Sequence, residues 1–348
     1  MRESAVTGLP ASLAAALDRG PVVLDGGLGT LLESRGNDVS SDLWSAQLLW
    51  DDPDEIRAAH EEFFTAGAQI ATTASYQVSY PGVAAVGRTP AEADRALAAS
   101  VRLAQEAREG AGLTPDEAWI AASVGPYGAY LADGSEYTGA YGLSTRELRA
   151  WHRPRMEALA GSGADLLALE TVPSLAEVAA LCAALADLDA GMPAWLSVTV
   201  KDGRLRSGES LTDAFALAAD CPDIVAVGVN CCDAVDVTPA LRLARTVTDL
   251  PLVAYPNSGE VWDARARAWS GTGASLAAYV GEWADLGASL IGGCCRVTPA
   301  EIRRIASALA GRWNPSQRRP PDAQPALAPV REHPRRREAD SRASTSSC

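Results

Sequence analysis

The chain has few of the features that mark membrane, secreted or nucleic-acid-binding proteins. It contains no run of about 18 apolar residues, so we expect no transmembrane helix. Asp18 and Arg19 interrupt the N-terminal segment, which therefore lacks the apolar core of a signal peptide. The formal net charge is −14, whereas phosphate binding needs a basic face. These absences predict a cytoplasmic protein that binds neither membranes nor nucleic acid.

Cysteine and histidine are both scarce, yet four of the seven cysteines form two adjacent pairs. Residues 231–232 follow the apolar run "AVGVN", and residues 294–295 follow "SLIGG". Neither pair has the CxxC spacing of a zinc finger, and the odd cysteine count does not suit a disulfide framework. The histidines, His60, His152 and His333, fall in helical or tail segments. In a reducing cytoplasm, clustered cysteines indicate metal binding or catalysis more often than disulfides.

The body of the chain alternates apolar runs with segments of helical periodicity. The apolar runs begin near residues 21, 68, 118, 164, 194, 223, 251 and 288. Unbroken apolar runs are typical of parallel strands buried on both faces, and parallel strands need a crossover between them. Eight strand–helix units predict an α/β fold, a (β/α)8 TIM-type barrel, with a doubly wound open sheet as the alternative.

Two segments lie outside this repeat. Residues 10–19, "PASLAAALDR", predict an extra helix before the first strand that covers the bottom of the barrel. From residue 313 onward the chain is rich in Pro, Arg, Ser and Ala without periodicity, which is typical of disorder. We therefore expect a barrel domain at residues 1–312 and a disordered tail at residues 313–348.

Polar residues stand where the predicted strands end. Active sites of (β/α)8 barrels lie at this C-terminal edge. The residues at these ends include Asp25, Gly26, Gly27, Thr73, Ser75, Tyr76, Tyr127, Glu170, Cys231, Asn257, Cys294 and Cys295. Glu170 ends an otherwise apolar run, where a carboxylate is costly unless it is paired or used. Thiols and carboxylates are therefore expected on one face of the barrel.

The two cysteine pairs follow the sixth and eighth predicted strands, which only one strand separates around the ring. Three thiolates from these ends would bind zinc and leave a fourth position open, as in catalytic zinc sites. Successive residues of a strand point to opposite faces, so adjacent sulfurs converge only if the backbone relaxes. Gly292-Gly293 would permit this before Cys294. The alternative, packing as small apolar side chains, suits the lone Cys182 and Cys221 better.

The sequence resembles the zinc-dependent homocysteine S-methyltransferases over about residues 20–310. The matching stretches run in order and include "VLDGGLGTLLESRG", "TASYQ", "GADLLALETVPS", "GVNCC" and "IGGCCRVTP". Two more, "SVGPYGAYLADGSEYTG" and "YPNSGE", are similar to the subgroup that uses S-methylmethionine. The resemblance implies an enzyme that moves a methyl group from S-methylmethionine, or as a lesser donor S-adenosylmethionine, to the thiol of homocysteine and so forms methionine.

The resemblance also implies the metal ligands. It assigns one Zn²⁺ per chain to Cys231, Cys294 and Cys295, with the substrate thiol in the fourth position. A thiol bound to such an ion is deprotonated, so no separate catalytic base is expected. Cys232 is an addition to the family pattern, and it is either a bystander that faces the next helix or a substitute ligand.

Roles for the substrate-binding residues follow from the same resemblance. Asp25 and Glu170 are implied to hold the homocysteine ammonium, while the backbone amides of Gly26 and Gly27 could take its carboxylate. Thr171 replaces a tyrosine found in some relatives, which leaves a role for that hydroxyl open. Aromatic faces attract a sulfonium cation. Candidates near the substrates are Trp44, Thr73, Ser75, Tyr76, Tyr127, Tyr255 and Asn257.

Two alternatives stay open. One is a related methyltransferase that uses betaine as donor or selenocysteine as acceptor. The other is a zinc-storing or thiol-sensing protein without turnover, although metal storage needs neither Asp25 nor Glu170. The sequence leaves the donor preference and the oligomeric state undetermined.

Overall fold

The computed structural model of the protein describes residues 8–39, 43–188, 191–263, 268–271 and 273–312. The tail predicted at residues 313–348, with His333, lies outside the described residues. Within these ranges no helix is long and apolar enough to cross a membrane.

Parallel strands form a ring, as the sequence predicts. In chain order they are β1 Val22–Val23, β2 Ile70–Thr72, β3 Trp119–Val124, β4 Leu166–Val172, β5 Ala194–Val198, β6 Ile224–Asn230, β7 Leu252–Tyr255 and β8 Ala288–Ile291. Each strand from β2 to β7 pairs with its successor, and β8 pairs with β1. A parallel bridge between Leu24 and Ile70 joins β1 to β2. This ring confirms the (β/α)8 barrel and rules out the doubly wound open sheet.

Helices connect the strands on the outside of the ring. In the described part of the chain the α-helices are α1 Ala11–Arg19, α2 Leu28–Ser34, α3 Leu48–Asp51, α4 Pro53–Thr65, α5 Tyr80–Ala85, α6 Pro90–Gly110, α7 Tyr127–Leu131, α8 Thr145–Ala160, α9 Leu175–Leu185, α10 Leu211–Ala219, α11 Ala234–Ala244, α12 Val280–Asp285 and α13 Pro299–Arg312. Several begin with a serine whose hydroxyl accepts a backbone N–H of the first turn, as at Ser144, Ser174 and Ser210.

Side chains that alternate along the strands build two apolar layers. One layer lies inside the ring, where Trp119 and Trp195 fill space left by alanines such as Ala121 and Ala168. The other lies between the strands and the surrounding helices, for example at Ile120. Since the inner layer is filled with side chains, the barrel is a packed core, and only its ends are available for ligands.

Helix α1 covers the N-terminal end of the barrel. Its Leu13 and Ala16 belong to the inner apolar layer. Trp119, the first residue of β3, donates its indole N–H to Ser12 Oγ at 3.1 Å. The opposite end, where the strands finish, is thereby left as the open end.

Candidate active site

A cavity of about 310 Å³ opens at the C-terminal ends of the strands. The residues that line it lie at the ends of most of the strands or in the segments that follow them. Among the lining residues are Gly26, Gly27, Trp44, Thr72, Thr73, Tyr76, Ser123, Glu136, Glu170, Thr171, Cys231, Tyr255, Cys294 and Cys295. The volume suits small-molecule ligands, and thiols and carboxylates share the cavity.

Three sulfur atoms converge on one side of the cavity. Cys295 Sγ lies 3.9 Å from Cys231 Sγ and 4.0 Å from Cys294 Sγ, and Cys231 is joined to Cys294 as a disulfide. The three sulfurs all lie within 4.8 Å of one another. The same closeness permits a site of three thiolates on one metal ion, which requires the Cys231–Cys294 pair to be reduced.

The two sulfurs after β8 converge because they lie beyond the strand. β8 ends at Ile291, so the alternation of a strand does not apply to Cys294 and Cys295. Neither Gly292 nor Gly293 has a left-handed backbone, so the expected relaxation of the backbone does not take that form. Their role is close packing. A Cβ on Gly292 would lie 2.6 Å from Leu24 Cβ, and one on Gly293 would overlap the Val297 side chain.

The pair after β6 separates its two sulfurs. Cys231 has a left-handed backbone (φ 48°), and its carbonyl accepts a hydrogen bond from Thr199 Oγ1 at 3.1 Å. This conformation turns Cys231 toward the cavity. Cys232 is buried in the layer that faces the helices, and it lies outside the group of three sulfurs. Burial also raises the pKa of the Cys232 thiol.

Asn257 connects the two cysteine segments. Its Oδ1 accepts the backbone N–H of Cys295 at 3.1 Å, and its own N–H donates to the carbonyl of Cys232 at 2.9 Å. It is absent from the lining of the cavity. Asn257 therefore holds the two cysteine segments together. The sequence had placed it among the candidates near the substrates.

Glu170 lies near the C-terminal end of β4. It lines the cavity and is 8% exposed. Its Oε1 accepts a hydrogen bond from Ser123 Oγ. Burial raises its pKa to about 7. Among the described residues no cation acts on its carboxylate, so the site offers a place for a positively charged group of a ligand.

Asp25 lies behind the cavity lining, next to the end of β2. Its carboxylate accepts the backbone N–H of Thr72 at 2.8 Å and also the Thr72 hydroxyl. Burial raises the pKa of Asp25 to about 8 despite these bonds, and Glu170 adds to the rise. Gly27, two residues after Asp25, donates its backbone N–H to the carbonyl of Val297 at 3.0 Å. The expectation of two free glycine amides is therefore wrong for Gly27.

The remaining expected substrate contacts divide into two groups. Trp44, Thr73, Tyr76 and Tyr255 line the cavity. Ser75 lies outside the lining. Its buried hydroxyl donates to the carbonyl of Ser123 and contacts Thr73 Oγ1, each at 2.7 Å.

Tyr127 also lies outside the cavity lining. Its ring packs against Trp151 with the ring centres 5.1 Å apart, and its backbone N–H donates to Glu177 Oε1 at 2.6 Å. Glu177 in turn contacts His152 Nε2 at 2.9 Å. These buried contacts place the Tyr127 ring among the helices, away from the sulfurs.

Asn230 and Thr171, at the ends of β6 and β4, exchange two hydrogen bonds, of 2.7 and 2.8 Å, which link the two strand ends. A carboxylate of the cavity lining was not expected from the sequence. Glu136 is a carboxylate in the loop after α7 that lines the cavity. A strand-end search misses Glu136, since it lies more than ten residues beyond β3.

The two histidines in the described part of the chain do not join the cysteines. His60 and His152 are buried on α4 and α8, and burial lowers the pKa of each to about 4. Among the described residues, Cys231, Cys294 and Cys295 form the group of three or more side chains that could hold a metal ion.

Comparison with known proteins places this arrangement in context. Residues 22–309 match the family model described as homocysteine S-methyltransferase. The chain is 46% identical to the homocysteine S-methyltransferase of Escherichia coli (strain K12), over 84% of this chain and 97% of that protein. It is 42% identical to homocysteine S-methyltransferase YbgG of Bacillus subtilis (strain 168), over 82% of this chain and 93% of that protein.

Solved structures of one similar protein agree with the fold. The homocysteine methyltransferase MmuM from Escherichia coli, in its oxidized form, superposes with a TM-score of 0.78 and 44% identity, over 87% of this chain and all of that chain. Its metallated form gives a TM-score of 0.76 and 43% identity, over 85% and 99% of the two chains.

Proposed function

Because the chain belongs to the homocysteine S-methyltransferase family and is such an enzyme, we propose that it takes the methyl group mainly from S-methylmethionine and uses one zinc ion. The observation that carries this proposal is the meeting of three sulfurs with buried carboxylates in one cavity. S-Adenosylmethionine is the lesser donor in the proposal. The products with S-methylmethionine are two molecules of methionine.

The donor set fits zinc. Three thiolates from Cys231, Cys294 and Cys295 are soft ligands, and their sulfurs lie near enough to share one ion. Bound there, zinc would supply acidity that keeps the homocysteine thiol deprotonated near neutral pH. Cys232 takes no part in the proposal, since it faces the helices.

The carboxylates have a separate task in the proposal. Glu170 lines the cavity and would hold the ammonium of homocysteine, with Asp25 as a second carboxyl group behind the lining. The amide of Gly26 remains for the carboxylate of homocysteine. A cation placed against Glu170 favours the ionised carboxylate and offsets the cost of its burial. Ser123 fixes the direction of that carboxylate through its hydrogen bond. The amino acid would thus be anchored on one side while its sulfur reaches the cysteines.

Methyl transfer itself then needs little from the protein beyond positioning. The homocysteine thiolate attacks the methyl carbon with its electron pair, and the bond from that carbon to the sulfonium breaks, leaving its pair on the donor sulfur. Trp44, Tyr76 and Tyr255 line the cavity where the donor would bind, and aromatic faces attract cations. Holding both sulfurs in line is the main contribution of the site.

The proposed site works only with reduced cysteines. The Cys231–Cys294 disulfide and three-thiolate binding exclude each other. A reducing compartment such as the cytoplasm, predicted from the sequence, suits the proposal.

The test is methionine formation by the reduced, zinc-loaded protein. Homocysteine is supplied with S-methylmethionine, S-adenosylmethionine or betaine in parallel, and methionine is measured by mass spectrometry with a methyl-labelled donor. We expect the fastest labelling from S-methylmethionine and a slower rate from S-adenosylmethionine. A faster reaction with betaine would overturn the donor assignment. Full activity after complete removal of metal would overturn the zinc assignment.

A further inference from the structure

Glu136 is a buried carboxylate in the cavity that the mechanism above does not use. It lies in the short 3-10 helix Ser135–Tyr137, lines the cavity, and is 5% exposed. Its Oε2 has no hydrogen-bond partner among the described residues, and no cation of the described chain pairs with it. Burying a carboxylate in this way costs free energy, so the position is expected to carry a function that requires the charge.

The backbone around Glu136 is held firmly. Gly128 on α7 lets the segment approach so closely that a Cβ there would lie 2.6 Å from the carbonyl carbon of Ser135. On the other side, Arg206 Nε donates to the carbonyl of Tyr137 at 3.0 Å, and its guanidinium stacks over the Tyr137 ring at 5.4 Å. Contacts on both sides therefore place the Glu136 side chain in the cavity.

Glu136 lines the same cavity as Cys295, and Tyr76 and Tyr137 lie in that lining as well. Glu170 is the other buried carboxylate of the lining, and the proposed function assigns it to the homocysteine ammonium. Glu136 is therefore the buried carboxylate of the lining that remains for the cation of the methyl donor.

We propose that Glu136 recognises the positive charge of the sulfonium methyl donor and so selects charged donors over neutral thioethers. This inference rests on the proposed function, because it assumes a sulfonium substrate. In the reaction the sulfonium loses its charge as the methyl group leaves, so the attraction to Glu136 disappears in the product. Glu136 thus favours donor binding and then lets the thioether product go.

The charge change also predicts which kinetic constant depends on Glu136. The donor is fully charged when bound and only partly charged in the transition state, so the carboxylate stabilises the bound donor more. Glu136→Gln should raise the KM for S-methylmethionine roughly 10- to 100-fold, the effect of losing one close opposite charge, with little change in kcat. The KM for homocysteine should stay the same.

A binding measurement distinguishes recognition of the sulfonium, which only the donor carries, from recognition of the ammonium, which donor and product both carry. S-Methylmethionine and methionine are each titrated into the zinc-loaded protein by calorimetry. Glu136→Gln should weaken the binding of S-methylmethionine by the same factor as it raises the KM, and it should leave the affinity for methionine unchanged. Equal weakening of both would mean that Glu136 binds the ammonium and would overturn the proposal. No weakening of either would overturn it as well.

Controls keep this test independent of folding and of the proposed function. Glu109→Gln removes one exposed negative charge from α6 and should leave all the constants unchanged. Glu136→Asp keeps the charge and should retain part of the donor affinity. Zinc content and melting temperature report whether the variants fold. If the wild-type protein forms no methionine from S-methylmethionine, the proposed function is overturned. If the wild-type protein is active but Glu136→Gln has an unchanged KM for the donor, only the role of Glu136 is overturned.

Discussion

The two sides of the cavity hold their reactive groups in different ways. On the cysteine side, after β6 and β8, three sulfurs lie within 4.8 Å of one another. On the carboxylate side, after β1 and β4, Asp25 and Glu170 are each hydrogen-bonded to a hydroxyl of a neighbouring segment. Converging soft ligands suit a single shared ion, whereas separately anchored carboxylates suit the cationic group of a ligand. The difference indicates that metal binding and substrate anchoring can be changed independently.

The largest expected effect comes from the cysteine side. Cys231→Ser should lower zinc content to near zero and activity by more than about 100-fold, because a ligand of the ion is lost. Cys232→Ser is the matched control from the same dipeptide and should keep most of the zinc, since this thiol packs against helices. Zinc is measured by mass spectrometry after gel filtration under reducing conditions. Equal loss in the two variants would show that Cys232 is a ligand.

A substitution on the carboxylate side should leave the zinc content unchanged. Glu170→Gln keeps the shape and the acceptor for Ser123 but removes the charge that would face the homocysteine ammonium. We expect the KM for homocysteine to rise roughly 10- to 100-fold, with normal zinc content. Steady-state kinetics and metal analysis on one preparation check this. Loss of zinc from Glu170→Gln would contradict the separation of the two sides.

Asn257 tests how the cysteine side is held together. Asn257→Ala removes the acceptor of the Cys295 amide, so the two cysteine segments lose a common contact. Residues that support metal ligands typically contribute 10- to 100-fold in affinity, and we expect a loss of roughly 10-fold in zinc affinity. Competition with a fluorescent chelator measures it. Unchanged zinc affinity together with a raised KM for homocysteine would instead place Asn257 among the substrate contacts.

The last expected effect concerns stability as a function of pH, not binding or catalysis. Burial raises the pKa of Glu170 from 4.5 to about 7 in the folded chain. The folded state therefore keeps a proton that the unfolded state loses, and stability falls as pH rises through this window. The contribution of Glu170 to this loss is on the order of 3 kcal/mol. In metal-free, reduced protein, Glu170→Gln should lose less stability than wild type between pH 5 and pH 8, as measured by denaturant unfolding. A steeper loss in the variant would contradict this assignment.

Patterns that depend on neighbouring residues were readable in the sequence. The apolar runs and helical segments predicted the barrel, and the polar residues at strand ends predicted the edge where the cavity opens. The two cysteine pairs were expected to share one ion although residues 231 and 294 are far apart in the chain, because alternate strands of a barrel end near each other. The family resemblance then implied Cys231, Cys294 and Cys295 as the ligands. The roles of these residues stay predictions until they are tested.

Other features depend on contacts that no local pattern encodes. The sequence showed two similar cysteine pairs, but a left-handed backbone at Cys231 turned one sulfur into the cavity and left Cys232 among the helices. Tyr127 follows a strand, yet its ring packs against Trp151. Glu136 sits in a loop whose place is set by the missing side chain at Gly128.

Residue type and periodicity therefore account for the architecture, since burial of apolar strands needs only short-range repetition. The direction in which each reactive side chain points was settled by the folded chain. It depends on backbone angles and close contacts between segments far apart in sequence, such as the amide of Asn257 between the two cysteine segments.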